Sequence, residues 1–213
     1  MAALNTLYPL VMPWAPLAPA AAADLALRHA VREFCRQTYA LQVWLEDVTA
    51  LAGEPAVVLP PPTGYEVVAP IVVRVGGRAL APVTADALDA VLRLDDWRTL
   101  QPGTAQAVVS DLARPAEVRL VPAPEGDITV RAKVALRPTG AFTTLDDALL
   151  RWDEAIAAGA LARLCGMPDT AWFNQERAAL MQGRMTVGVA RARDEVRRGG
   201  IDAPLAVTMR AWV

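Results

Sequence analysis

From Asp24 to about Leu41 the positions Leu27, Val31, Phe34, Thr38 and Leu41 recur at spacings of four and three, the period of a helix with one buried face. The pattern then changes. The stretches "LQVWLEDVTAL", "GYEVVAPIVVRVGGRALAPV" and "AQAVVSDLARPAEVRLVPAPEGDITVRAKVALRP" run in short Val-rich alternations punctuated by Gly and Pro, which predicts an antiparallel sheet. Gly76-Gly77 carries a two-residue hairpin signature, because both positions tolerate positive φ. Arg114-Pro115 and the run from Pro122 to Gly126 mark further turns, and "TADALDAVLRL" reads as a short helix started by Thr84. At Thr143 the helical period returns, with Thr144 as the cap, Asp146 and Asp147 in the first turn, and Leu145, Leu149, Trp152, Ile156, Ala160 and Leu164 as the buried stripe. Gly166 reads as the left-handed residue that ends this helix, and Pro168 bars its continuation. Asp169 or Thr170 would cap a last helix, about Ala171 to Arg198, with Ala178, Met181, Met185, Val189, Ala192 and Val196 on one face. Gly183 and Gly188 in that helix would permit close backbone approach.

These elements predict an α+β fold. A helical bundle, built from the N-terminal helix and a long C-terminal helical hairpin, would carry an inserted antiparallel β lobe. The expected divisions are an extended Pro/Ala-rich arm over 1–23, a bundle from 24–41 and 143–199, a β lobe over 42–142 and a short apolar tail over 200–213. The first 25 residues are apolar, but they lack a basic leading region and are broken by Pro9, Pro13, Pro16 and Pro19. They read as an extended arm and not as a signal peptide. No uninterrupted apolar run reaches roughly eighteen residues, so no membrane span is expected. The tail, ending in Trp212 and Val213, is expected either to fold back on its own lobe or to insert into a partner.

Composition narrows the chemistry. With 54% hydrophobic residues among 213, the chain can bury a sizeable core, and a net charge of -2 gives no long-range pull towards nucleic acid or anionic lipid. His29, Ser110 and Lys133 are each the sole residue of their type. A Ser-His-acid triad would require Ser110 and His29 to meet, no phosphate loop ends in Lys-Ser or Lys-Thr, and no Cys/His spacing suits zinc. Cys35 and Cys165 lie in apolar helical contexts and read as reduced core residues. Asp146, Asp147, Asp153 and Glu154 read as helix starts and solvated faces. No catalytic, metal or cofactor site is expected, and the chain is not expected to be an enzyme. The surface feature that stands out is Arg177, Arg184, Arg191 and Arg198, every seventh residue of the last helix. As a solvated face they would pair locally with acids such as Glu176, Asp194 and Glu195.

The segment "ALRPTGAFTTLDDALLRWDEAIAAGALARLCGMPDTAWFNQERAALMQGRMTVGVARAR", with the looser "YEVVAP", "GGRALAPVT" and "VRLVPAPEG", resembles the head-to-tail adaptor (connector) proteins of tailed bacteriophages, in particular those whose helical bundle carries a β lobe. The resemblance implies a structural virion protein, assembled in the host cytoplasm and resident at the head–tail junction. Its subunits would form a twelve-fold ring under the portal protein, prolong the channel for DNA that passes without sequence-specific binding, and dock tail or nozzle proteins. Gene transfer agents use similar parts. In that setting Arg177, Arg184, Arg191, Arg198, Trp212 and Val213 become candidate partner-interface residues, with an acidic portal surface or the DNA channel as alternatives to a solvated face. A tail-completion or stopper ring of the same particle is the nearest rival function. From other classes, a small-ligand binding module using Trp44, Trp97 and Trp152, or a hydrolase working with carboxylates alone, stays open.

Overall fold

The computed structural model describes residues 1–91 and 97–199 and shows a mixed α+β protein. In chain order the elements are β1 (Ala2–Ala3), α1 (Tyr8–Val11), α2 (Ala20–Thr38), β2 (Leu41–Trp44), β3 (Val48–Ala50), β4 (Ala56–Val58), β5 (Tyr65–Val75), β6 (Arg78–Leu80), β7 (Pro82–Val83), α3 (Ala85–Val91), β8 (Ala107–Asp111), β9 (Arg114–Val121), β10 (Ile128–Pro138), β11 (Thr144–Leu145), α4 (Asp153–Cys165) and α5 (Gln175–Arg197). Short 3-10 turns fill Leu4–Leu7, Met12–Trp14, Trp97–Thr99 and Asp147–Trp152. The chain divides into two compact units: Met1–Ala30 with the chain from Thr143 on, and Val31–Phe142.

In the first unit the leading residues are not an extended arm. They wind through short helical turns whose Leu4, Leu7, Val11, Ala15 and Ala18 are buried. The prolines read as interruptions are starters: Pro9 and Pro13 stand in the first turn of α1 and of the Met12–Trp14 turn, where a missing N–H costs nothing. Tyr8 donates its hydroxyl to Asp24 at 2.8 Å, which raises the phenol above its usual pKa, and α2 begins at Ala20 rather than at 24. β1 pairs antiparallel with β11, Ala3 opposite Thr144. Thr144 is therefore a strand residue, and the helical run after it is capped by Asp146, whose carboxylate accepts from the Ala148 N–H at 2.9 Å. Leu145, Leu149, Ile156, Ala160 and Leu164 are buried along the expected stripe.

The corner between α4 and α5 also differs from expectation. Gly166 closes α4 with φ -84, in the right-handed region, while the left-handed residue is Asp169 at φ 58. α5 starts at Gln175 because the Asn174 side chain accepts from the Arg177 N–H at 2.9 Å. Three good capping residues stand within six positions here, and the last of them is used. Met181, Met185, Val189 and Ala192 are buried as the period predicts.

In the second unit α2 ends at Thr38, not Leu41. Tyr39 takes φ 55, Thr38 turns its hydroxyl back onto the Phe34 carbonyl at 2.7 Å, and Leu41 opens β2. The expected single sheet is two. One runs β2-β10-β5-β6 with β3 also on β10, and the other runs β4-β9-β8-β7. Inward Val67, Val73, Val130 and Val134 of the first and Val57, Val108, Val118 and Leu120 of the second are buried by period-two alternation, and β5 packs on β9. Gly76 and Gly77, at φ 54 and 85, form the β5–β6 hairpin as predicted. The chain then changes sheets, and β7 pairs parallel with β8, the exception to the antiparallel order. The turn expected at Arg114-Pro115 lies at Leu112–Ala113, and both expected turn residues begin β9. Thr84 caps α3, accepting from the Ala87 N–H at 3.2 Å, while the remainder of "TADALDAVLRL" after Val91 lies outside the described residues.

Candidate functional site

About half of α4 is small residues, with Ala157, Ala158, Gly159 and Ala160 buried in succession. α5 lies antiparallel against it. Asn174 donates its N–H to the Cys165 carbonyl at 2.9 Å at the corner, Gly159 faces Met185, and Gly188 faces Ala155. The approach is close: a methyl group added at Gly188 would stand 2.4 Å from the Ala155 Cβ, and one at Gly159 would stand 2.6 Å from the Met185 sulfur. Burial pushes the Cys165 thiol up, as suits an inert core cysteine. Cys35 and Cys165 are both free and buried.

This close fit leaves a flank of α5 uncovered. Leu180 and Val187, one heptad apart, are 56% and 53% exposed. Together with Trp14, which is 45% exposed, they border an open groove of about 1260 Å³ whose floor includes Ala155, Ala158, Leu161 and Gly188. Trp14 stands near the start of α5, where Arg177 donates to the Trp14 carbonyl and places its guanidinium 5.8 Å from the indole centre. At the other end Arg151 pairs with Glu195, whose second oxygen accepts from the Trp152 indole N–H at 3.2 Å.

The four arginines predicted as one row therefore separate. Arg177 is half-buried and holds the Trp14 turn, whereas Arg184 and Arg191 are exposed and line the groove. Arg198 is exposed at the end of α5. Glu195, named as a local partner for the row, is taken by Arg151 and Trp152. Among the described residues no ion pair is formed by Arg184 or Arg191. Trp212 and Val213 lie outside the described residues.

Leu180 and Val187 are interface candidates that the periodicity argument passed over. The signal was present: Leu180, Gly183, Val187 and Ala190 make a second run at spacings of three and four, off the core stripe. Gly183 belongs to that run, and a methyl group there would meet no atom within 4 Å. An exposed mid-helix glycine costs about 1 kcal/mol relative to alanine, and nothing in the described chain requires it.

Elsewhere the tryptophans divide. Trp97 is buried with Leu88, Val109 and Val121 and donates its indole N–H to Asp89, which Arg98 and Trp97 together hold below the usual carboxylate range. Trp44 lies on the open face of its sheet beside Arg74 and Arg131, at 4.9 and 5.6 Å. Among the described residues no three His, Cys, Asp or Glu side chains are grouped to hold a metal ion, and no helix is long and apolar enough to cross a membrane. Compared with known proteins, the chain matches no protein-family model and no curated protein.

Proposed function

We propose that this protein is a structural subunit of a tailed-phage-type particle: a head-to-tail adaptor that assembles as a twelve-copy ring below the portal protein. In this reading the helical elements act as a bundle and the sheets as a lobe inserted into it. The ring extends the channel through which DNA passes without sequence-specific binding, and it presents a docking surface to tail or nozzle proteins. The subunit works at the head–tail junction after assembly in the host cytoplasm, with neither a catalytic role nor a cofactor.

The observation that supports this most directly is the flank of α5, where Trp14, Leu180 and Val187 stand exposed around Arg184 and Arg191. Contiguous apolar surface rimmed by charge marks a face that is covered in use. An adaptor is covered on such faces by the proteins it joins as well as by its neighbours in the ring, each contact burying on the order of 1,000 Å² or more. The sequence resemblance over Leu136 to Arg193 spans this hairpin.

The test is absolute quantitation of the protein in purified particles, by mass spectrometry with the portal protein as internal standard. A one-to-one ratio is expected. Absence from the particles would overturn the adaptor reading.

A further inference from the structure

The groove along α5 has the composition of half a helix–helix seam. Written as heptads, Leu180 and Val187 take one inner position, Gly183 and Ala190 the other, and Arg184 and Arg191 the flanking position beside them. The two large residues are exposed, and the two arginines, about 10.5 Å apart along the axis, form no ion pair among the described residues. Between the large residues stands Gly183, with open space where its side chain would be. Bulk, gap, bulk and gap along an exposed face, with two arginines beside it, is what a second helix lying close against α5 would require. Of the acids lining the groove, Glu195 is already held by Arg151 and Trp152, and Glu154 belongs to the first turn of α4.

We infer that this groove receives an acidic amphipathic helix from a partner protein, its apolar residues meeting Leu180 and Val187 and its carboxylates, one heptad apart, meeting Arg184 and Arg191. Charge decides against the α5 of a second copy as the occupant. An antiparallel pair would set the arginine row against itself, and a parallel pair would set it against Ala179, Thr186 and Arg193, none of which is acidic. The close approach is set by Gly183. A partner backbone can lie over it only while no side chain is there. The inference deepens the adaptor reading and rests on it for the particle in which such a helix is found, but the binding itself is measurable on the isolated full-length chain.

Two synthetic four-heptad helical peptides test it, alike in their apolar positions and carrying either Glu or Lys at the flanking ones, titrated against the protein by fluorescence anisotropy. At low salt the acidic peptide is expected to bind about tenfold more tightly than the basic one. That preference should shrink as salt rises. The double variant Arg184→Glu with Arg191→Glu should reverse the preference while leaving the circular dichroism spectrum unchanged. Gly183→Leu should block both peptides and raise the melting temperature, whereas a glycine needed by the fold would lower it. Equal affinities, no binding of either peptide, or a preference untouched by the charge reversal would overturn the inference. So would tighter binding of a DNA duplex than of the acidic peptide, lost in the same double variant. Failure here beside a one-to-one ratio in particles would remove the groove's occupant alone. Acidic-peptide binding by a protein absent from particles would remove the adaptor reading and keep the groove.

Discussion

Gly183 and Gly188 stand five residues apart on α5 under different constraints. A methyl group at Gly188 meets the Ala155 Cβ at 2.4 Å, a rigid atom that cannot move aside without its helix, whereas one at Gly183 meets nothing within 4 Å. The same substitution should therefore have opposite signs. Gly188→Ala is expected to destabilise by about 1 to 3 kcal/mol through overpacking. Gly183→Ala should stabilise by about 1 kcal/mol, or roughly 2 to 4 °C in melting temperature, read by thermal unfolding monitored by circular dichroism. Both glycines were read from the sequence as permitting close backbone approach, yet among the described residues only Gly188 of the two is closely approached. Which of them touches the neighbouring helix depends on register across the hairpin, and a single helix's pattern does not contain that.

Among the described residues, Glu33 carries a clear pH signature. Arg36 donates to both its oxygens, at 3.0 and 2.6 Å, with a further bond from Gln37, and its carboxyl is held down to about 2. Because the folded value is depressed, the stabilisation is fully present above the ordinary value of about 4.5 and is lost as the pH falls towards about 2. The site is partly exposed, so its size is that of a surface pair, below about 1 kcal/mol. In urea titrations Glu33→Gln should be less stable than the parent at neutral pH, and the gap should close as the pH is lowered through that range.

At the scale of elements, the start of α5 depends on one side chain. Asn174→Ala removes the acceptor for the Arg177 N–H and should cost about 1 kcal/mol, measurable as a lower urea midpoint with an unchanged slope. The sequence reading put the cap at Asp169 or Thr170, and the structure puts it at Asn174, a third residue of the same capping type. Local preference could not rank them, because each satisfies it and the choice falls to where the chain re-joins α4 through the Cys165 carbonyl. The leading segment teaches the same lesson from the other side. Its prolines were legible as helix breakers, but Pro9 and Pro13 start turns that bury Leu7 and Val11, an outcome set by the surface those side chains find. Where a residue type admits one backbone solution, as Gly76-Gly77 does at its hairpin, the sequence reading and the structure agree.

At the scale of the whole molecule, the division between units falls inside α2, after Ala30, and not at a loop. Val31, Phe34, Cys35 and Thr38 are buried and fall in the second unit, so a cut at the end of α2 removes residues that cluster with the sheets. A fragment 31–142 is expected to stay soluble with a β-type circular dichroism spectrum, whereas 40–142 should aggregate, which light scattering would detect. Fold class, the two separate helical regions and the buried stripes could be read from periodicity. The groove could not be located that way, because its walls come from the leading turns, α4 and α5 together. Only its arginines and the second apolar run on α5 left a trace in one dimension.

The packing of Met185 against Gly159 also bears on how the hairpin meets an oxidant. Its sulfur fills the space that a Cβ at Gly159 would enter, and both Met181 and Met185 are buried along the same seam. A sulfoxide would add an oxygen to a contact with no room for it and a dipole to a surface with nothing to solvate it. Met181 lines the groove, whereas Met185 lies outside it against Gly159, so oxidation of Met185 is expected to proceed chiefly through molecules in which α5 has lifted from α4. The speed at which Met185 gains oxygen is thus a clock for the opening of the hairpin, and a covering partner would slow it.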